Sequence, residues 1–265
     1  MKLHITTTRR ALLAAATLAL ATASHAAVVT WGAATNITPG LAGDLNVSTA
    51  GTFVGALDFG NPASNTTVNG VTFTGINPGT IPGNSFTAAS FTLTTAATNF
   101  TNGGGPTGSA PFSNLSAPYQ SLLSGILGSN SIPGAMTLTM NNLVAGATYQ
   151  FQWWNNNSIN FGVGTTSATA GNAVSLNANP SNTLGGLGQF AIGTFVADGT
   201  LSQAIAFANT TANTGNLLNG FQLRQLAPAP SAVPEPGSAL AGMLALGACA
   251  GGLFRRNRRG ETATA

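Results

Sequence analysis

Between Ala27 and Glu235 few side chains can do acid–base chemistry: the carboxylates Asp44, Asp58 and Asp198, the phenols Tyr119 and Tyr149, and the guanidinium Arg224. Two carboxylates facing one cleft are what glycosidic bond hydrolysis requires, so residue types alone leave a carboxylate-dependent glycan hydrolase open. Asp198, followed by Gly199, reads more simply as a turn residue, and Asp58 as a strand end. His4 and His25 both precede Ala27, the only cysteine is Cys249, and the only lysine is Lys2. The stretch therefore has no base for a serine or cysteine nucleophile, no ligands for a His/Cys zinc site and no disulfide. Asn102-Gly-Gly-Gly-Pro106 lacks the lysine of a phosphate-binding loop and reads as a flexible turn. No catalytic residue, metal ligand or cofactor is assigned, and the chain is read as non-enzymatic.

Two arrangements could bind rather than react. Asp44-Leu-Asn46-Val-Ser48 puts oxygen groups at alternate positions, as a calcium loop does, but lacks the glycine at the sixth position and the glutamate at the twelfth. A structural calcium site and an Asx-rich surface turn are both open there. Tyr149-Gln-Phe-Gln-Trp153 alternates as a strand, so Tyr149, Phe151 and Trp153 share the inward face. Trp154 then falls with Gln150 and Gln152 on the other face. An exposed indole beside two amides resembles the sugar-stacking platform of a carbohydrate-binding module, which makes Trp154, Gln150 and Gln152 candidate ligand-binding residues. The competing reading packs Trp154 under the Asn155–Ser158 loop, or buries both faces of the sheet.

These residues need a scaffold, and strand signals dominate. Thr52–Phe59, Thr67–Thr74, Phe86–Thr95, Met136–Met140, Gly193–Ala197, Leu201–Phe207 and Phe221–Leu226 are rich in β-branched or aromatic residues and bounded by Gly, Asn or Pro. Asp198-Gly199 predicts a two-residue hairpin joining two of them. One segment differs: Leu122, Leu123, Ile126 and Leu127 have helical spacing, with Ser116 as N-cap, Pro118 in the first turn and Gly128 as terminator. Leu143-Val-Ala-Gly-Ala-Thr-Tyr149 resembles a tyrosine corner, in which a strand-initial tyrosine binds the backbone of a sheet connection. The predicted fold is all-β: an antiparallel, jelly-roll-like β-sandwich with one short helix, an N-terminal signal helix and a C-terminal transmembrane helix.

Charge sits at the ends. Lys2, Arg9 and Arg10 open the chain, and Arg255, Arg256, Arg258 and Arg259 nearly close it. Arg224 alone lies between, so no basic face exists to neutralise phosphates and nucleic acid is excluded as a partner. After Arg10 comes an apolar run to about Ala23, then Ser24-His25-Ala26. Basic, apolar and small-residue zones in that order form a secretory signal cut between Ala26 and Ala27 by signal peptidase. Thr8-Arg9-Arg10-Ala11-Leu12-Leu13 also resembles a twin-arginine signal, so general secretory and twin-arginine routes are both open. Asn-X-Ser/Thr triplets at Asn36, Asn46, Asn65 and Asn209 are expected by chance in an Asn/Thr-rich chain.

At the other end Val233-Pro234-Glu235-Pro236 precedes the apolar or small run Gly237–Phe254, which just reaches the length of a thin membrane span, and the four arginines follow. The positive-inside rule keeps those arginines cytoplasmic. This pattern closely resembles the PEP-CTERM sorting signal over about the last thirty residues. The stretch Met136–Asn156 and Asn219-Gly-Phe-Gln-Leu-Arg224 look like bodies often found on PEP-CTERM proteins, and are similar in outline to galactose-binding-like sandwiches. The resemblance implies transient inner-membrane anchoring, cleavage by an exosortase, and a final place at the cell surface or outside it, in an exopolysaccharide or biofilm matrix. The expected organisation is signal peptide 1–26, sandwich ectodomain 27–224, Pro/Ala/Ser linker 225–233 and sorting signal 234–260. Few lysines guard the strands, which also suits self-association along sheet edges.

Overall fold

A computed structural model describes residues 27–60, 63–97, 100–104, 107–129, 134–159, 164–209 and 216–229. The signal segment, the Pro234-Glu235-Pro236 motif, the apolar run and the arginines after it lie outside the described residues.

The strands in chain order are β1 (Thr30–Trp31), β2 (Thr35–Asn36), β3 (Thr52–Phe59), β4 (Thr66–Val68), β5 (Val71–Ile76), β6 (Ser85–Ala88), β7 (Phe91–Thr95) and β8 (Phe100–Gly104). After helix α1 (Ala117–Ser124) come β9 (Gly125–Ser129), β10 (Ala135–Met140), β11 (Thr148–Asn155), β12 (Thr165–Ala170), β13 (Asn172–Asn177), β14 (Gln189–Val196), β15 (Gln203–Asn209), β16 (Asn216–Leu218) and β17 (Gly220–Ala227). One sheet runs β1-β14-β11-β17-β3-β5-β4, with β2 also on β14; a second runs β13-β12-β15-β10-β7-β6; a third, smaller one runs β16-β9-β8. The chain is thus all-β, in two main sheets with little helix. All named pairings are antiparallel except β3 with β5.

Period-two alternation explains how the two main sheets meet. Tyr149, Phe151 and Trp153 of β11, Phe221 and Leu223 of β17, and Leu57 and Phe59 of β3 share one core with Phe91, Leu93, Leu138, Ile205 and Phe207 of the second sheet. Phe91 meets Phe221 edge-on at 4.9 Å, and Trp153 meets Phe207 edge-on at 5.1 Å. The other face of the first sheet is covered as well. Trp154, Phe190 and Ala56 pack there against Tyr119, Leu122 and Leu123 of α1 and against Val68, Val71 and Phe73 of the β4–β5 hairpin.

Several sequence expectations need correction. Thr67–Thr74 is a hairpin, not one strand, because Asn69 and Gly70 both adopt positive φ (47° and 73°), the turn chemistry that Asn-Gly favours. Phe86–Thr95 is likewise split, with Ala89 at positive φ. Asp198-Gly199 does not close a hairpin: β14 and β15 belong to different sheets, and Leu201 carries the positive φ. Phe221–Leu226 lies between β11 and β3 in the middle of its sheet instead of closing it. β17 stays paired as far as Ala227, so residues 225–227, read as linker, belong to the sheet.

The helix starts as expected, with the Ser116 hydroxyl accepting from the Tyr119 N–H at 3.2 Å and Pro118 in the first turn. It ends at Ser124, before Ile126 and Leu127, which enter β9. The side-chain amides of Asn156 and Asn219 both donate to the Leu123 carbonyl, at 3.1 and 2.8 Å, capturing an acceptor that another helical turn would need. Gly125 then passes so close to β3 that a β-carbon there would lie 1.5 Å from the Phe59 carbonyl oxygen.

Candidate functional site

The three candidate ligand-binding residues do not form an open platform. Trp154 is fully buried, edge-on to Phe73 at 5.7 Å, and its indole N–H donates to the Tyr119 hydroxyl at 3.1 Å. Both faces of the sheet are covered, so no face of the indole can stack on a sugar. Burial holds the Tyr119 phenol well above its usual pKa, which keeps it neutral as the acceptor for Trp154.

Gln150 and Gln152 instead bind the protein's own chain. Register sets Gln152 opposite Gln222 and Gln150 opposite Arg224, so four polar side chains tile the outer face of β11 and β17. Across them runs the segment 46–51, which follows a 3-10 turn ending at Asn46. The Gln152 carbonyl accepts from the Ser48 N–H at 2.9 Å, and its amide donates to the Asn46 carbonyl at 2.6 Å. Gln222 donates to the Ser48 carbonyl at 3.0 Å and to Gln152 at 2.7 Å. The Ser48 hydroxyl donates to Gln150 at 2.6 Å. Arg224 donates through Nε to the Ala50 carbonyl and through Nη2 to those of Thr49 and Gly51, at 2.6, 3.0 and 2.9 Å. Its guanidinium lies 5.9 Å from the Phe53 ring centre. These side chains replace a neighbouring strand for a segment that has none.

The calcium reading fares no better. The Asp44 carboxylate accepts from the Ser116 hydroxyl at 2.6 Å, Asn46 is engaged with the Thr38 N–H and hydroxyl, and Ser48 with Gln150. Each of the three side chains is thus engaged by a different partner within the protein. No cluster of three or more His, Cys, Asp or Glu occurs among the described residues.

The aspartates are also spread out. Asp58 lies opposite Gly220, which itself pairs with Trp154 near one end of β11. Asp198 follows Val196, which pairs with Thr148 at the other end. Six residues of strand, about 20 Å, separate these positions. Asp198 is half-buried and held below its ordinary pKa by the Thr200 hydroxyl and N–H, the turn role expected of it. Asp58 is buried, with Oδ1 unpartnered, and burial raises its pKa to about 7. No two of the three are brought to a common open cleft.

A buried amide cluster went unnoticed in the sequence. Asn219 accepts from the Asn156 N–H at 2.6 Å and donates to the carbonyls of Leu123, Gly125 and Asn156 at 2.8, 2.7 and 3.0 Å. Asn156 in turn donates to Leu123 and accepts from the Gly188 N–H at 2.8 Å. Together they lock α1, β9, β11 and the 178–188 loop. Their sequence signal is slight: Asn219 follows Leu217-Leu218, but Asn156 lies within the polar run Asn155-Asn156-Asn157-Ser158. The tyrosine corner is present: the Tyr149 hydroxyl accepts from the Val144 N–H at 2.9 Å.

No family model, no curated protein and no solved structure matches the chain.

Proposed function

We propose that the chain is an exported, non-enzymatic protein of the cell surface or extracellular matrix, held briefly at the inner membrane and then released by an exosortase. The observation that carries this is the order of Pro234-Glu235-Pro236, the apolar run Gly237–Phe254 and the arginines 255, 256, 258 and 259, behind a secretory signal ending at Ala26. That order is similar to the PEP-CTERM sorting signal, from which association with exopolysaccharide and biofilm follows. The body supports the reading by what it does with its polar groups: most of those that seemed free to bind a ligand are spent on its own backbone. We further infer a jelly-roll-like sandwich, because β10, β11, β12, β13, β14 and β15 cross repeatedly between the two main sheets.

Intact mass of the protein recovered from culture supernatant and from membranes tests this. Expected are an N-terminus at Ala27, a released form lacking Gly237–Phe254, and accumulation in membranes when Pro234-Glu235-Pro236 is replaced by alanines. A released form retaining residues beyond Phe254 overturns the processing.

A further inference from the structure

The exposed apolar side chains are unevenly placed. Ten large ones are well exposed among the described residues, and seven gather at one end of the first sheet: Val28, Phe53, Val144, Val196, Leu201 and Leu226, with Val54 beside Phe53. The six named first are each between 38% and 55% exposed. Register sets them together. Thr30 opposite Thr194 carries Val28 to Val196, and both line one shallow depression with Thr148. Thr148 pairs on its far side with Ala227, and the bulge there pushes Leu226 out of the ladder. Val144 and Leu201 stand on two adjoining corners, tied by the Leu143 N–H to the Leu201 carbonyl and by the Gly146 N–H to the Ala197 carbonyl. Trp154, Asp58 and the amide cluster mark the opposite end.

The chain also leaves the sandwich at this end, through Ala227-Pro228-Ala229. Seven residues, 230–236, separate Ala229 from the apolar run beginning at Gly237. Seven residues reach at most about 25 Å, which keeps the body close to any membrane that holds the apolar run. We propose that this apolar end is a lipid-facing foot, on which the body rests against the bilayer while the C-terminal segment is still uncut. The inference rests on the anchoring reading above. The tether turns a weak surface contact into an intramolecular one at high effective concentration, so a patch too small to bind membranes by itself suffices.

The charges specify the kind of contact. Besides the half-buried Asp198, the charges at this end are the α-amino group freed at Ala27 and Arg224, whose guanidinium turns onto the 49–51 backbone, so no basic cluster there attracts anionic headgroups. The foot meets the apolar boundary of the bilayer, in the manner of an interfacial element, and needs no anionic lipid.

The test uses the full chain reconstituted in phosphatidylcholine vesicles carrying a spin-labelled lipid quencher. A fluorophore is placed at the native Cys249, or, in a Cys249→Ser background, at Val196→Cys or Leu184→Cys. Expected is quenching at Val196 within about twofold of that at Cys249 and several-fold above that at Leu184, unchanged when anionic lipid is added. Val28→Ser with Leu201→Ser, both at exposed positions, is expected to lower the quenching at Val196 severalfold. Quenching at Cys249 with none at Val196 overturns the foot. Absence of quenching at Cys249 overturns the anchoring reading beneath it. A Val196 signal that changes with protein concentration and not with quencher assigns the face to a second copy and likewise overturns the proposal.

Discussion

A carboxyl group buried with one oxygen unpartnered makes folding depend on pH, and Asp58 is placed that way. Its pKa is raised to about 7 by burial, against 3.8 unfolded. Between these values the folded state holds more protons than the unfolded state, so stability falls as pH rises. The contribution is fully present below about pH 4 and lost by about pH 7, at up to roughly 4 kcal/mol. Asp58→Asn is expected to flatten that slope and to be the more stable form at pH 8, read from denaturant midpoints at several pH values. An equal slope in both proteins would show that Asp58 is solvated. Asn219 makes the complementary case. Asn219→Asp keeps the shape but turns an oxygen toward the carbonyls of Leu123, Gly125 and Asn156, where an amide donated before. Leaving those carbonyls unsatisfied and repelled costs about 3 kcal/mol or more. Chemical denaturation of the two proteins measures it, and a loss under about 1 kcal/mol would mean that other donors replace the amide.

Elements show the same economy of polar groups. The segment 46–51 has no strand partner and depends on side chains of β11 and β17. Arg224→Lys keeps the charge but loses the planar fork that reaches three carbonyls at once. Hydrogen exchange in peptides covering 46–51 is expected to speed up at least tenfold, while the β10–β15 ladder stays protected; unchanged exchange at 46–51 would mean that the glutamines alone suffice. Much of this architecture is legible from composition, alternation and turn chemistry: β10 and β11 fall where period two puts them, β3 where β-rich composition does, and the tyrosine corner is set by local spacing. The helix was overextended because Ile126 and Leu127 fit its periodicity, whereas its end is fixed by Asn156 and Asn219, distant in sequence. The open-platform reading fails for a related reason, and the competing one, with both faces of the sheet buried, holds. Alternation correctly put Trp154, Gln150 and Gln152 on the outer face, but period two does not say whether a face meets solvent or a second core. What covers it, α1 and the β4–β5 hairpin, is a tertiary fact. Asn69-Gly70 is a turn signal that stands inside a longer β-rich run, which masks it.

For the whole molecule, the described residues carry only four charged side chains, Asp44, Asp58, Asp198 and Arg224. Asp44 accepts from the Ser116 hydroxyl and Asp198, through one oxygen, from Thr200, while Arg224 donates to carbonyls. The open face of the second sheet repeats the pattern: one row across all six strands reads Ser85, Thr94, Thr137, Ala206, Thr169 and Ala173, without a charge. Stability therefore draws on apolar burial and neutral hydrogen bonds, and salt has few attractive charge pairs to screen. The midpoint of thermal unfolding at pH 8 is expected to move by less than about 2 °C between low salt and roughly half-molar sodium chloride, under about 1 kcal/mol for a body of this size. Sodium sulfate, which strengthens apolar burial by exclusion from the surface, is expected to raise it at the same ionic strength. A fall of more than about 5 °C in chloride would show that ionic contacts hold the body together. A protein stabilised this way keeps the same fold in dilute and in saline surroundings.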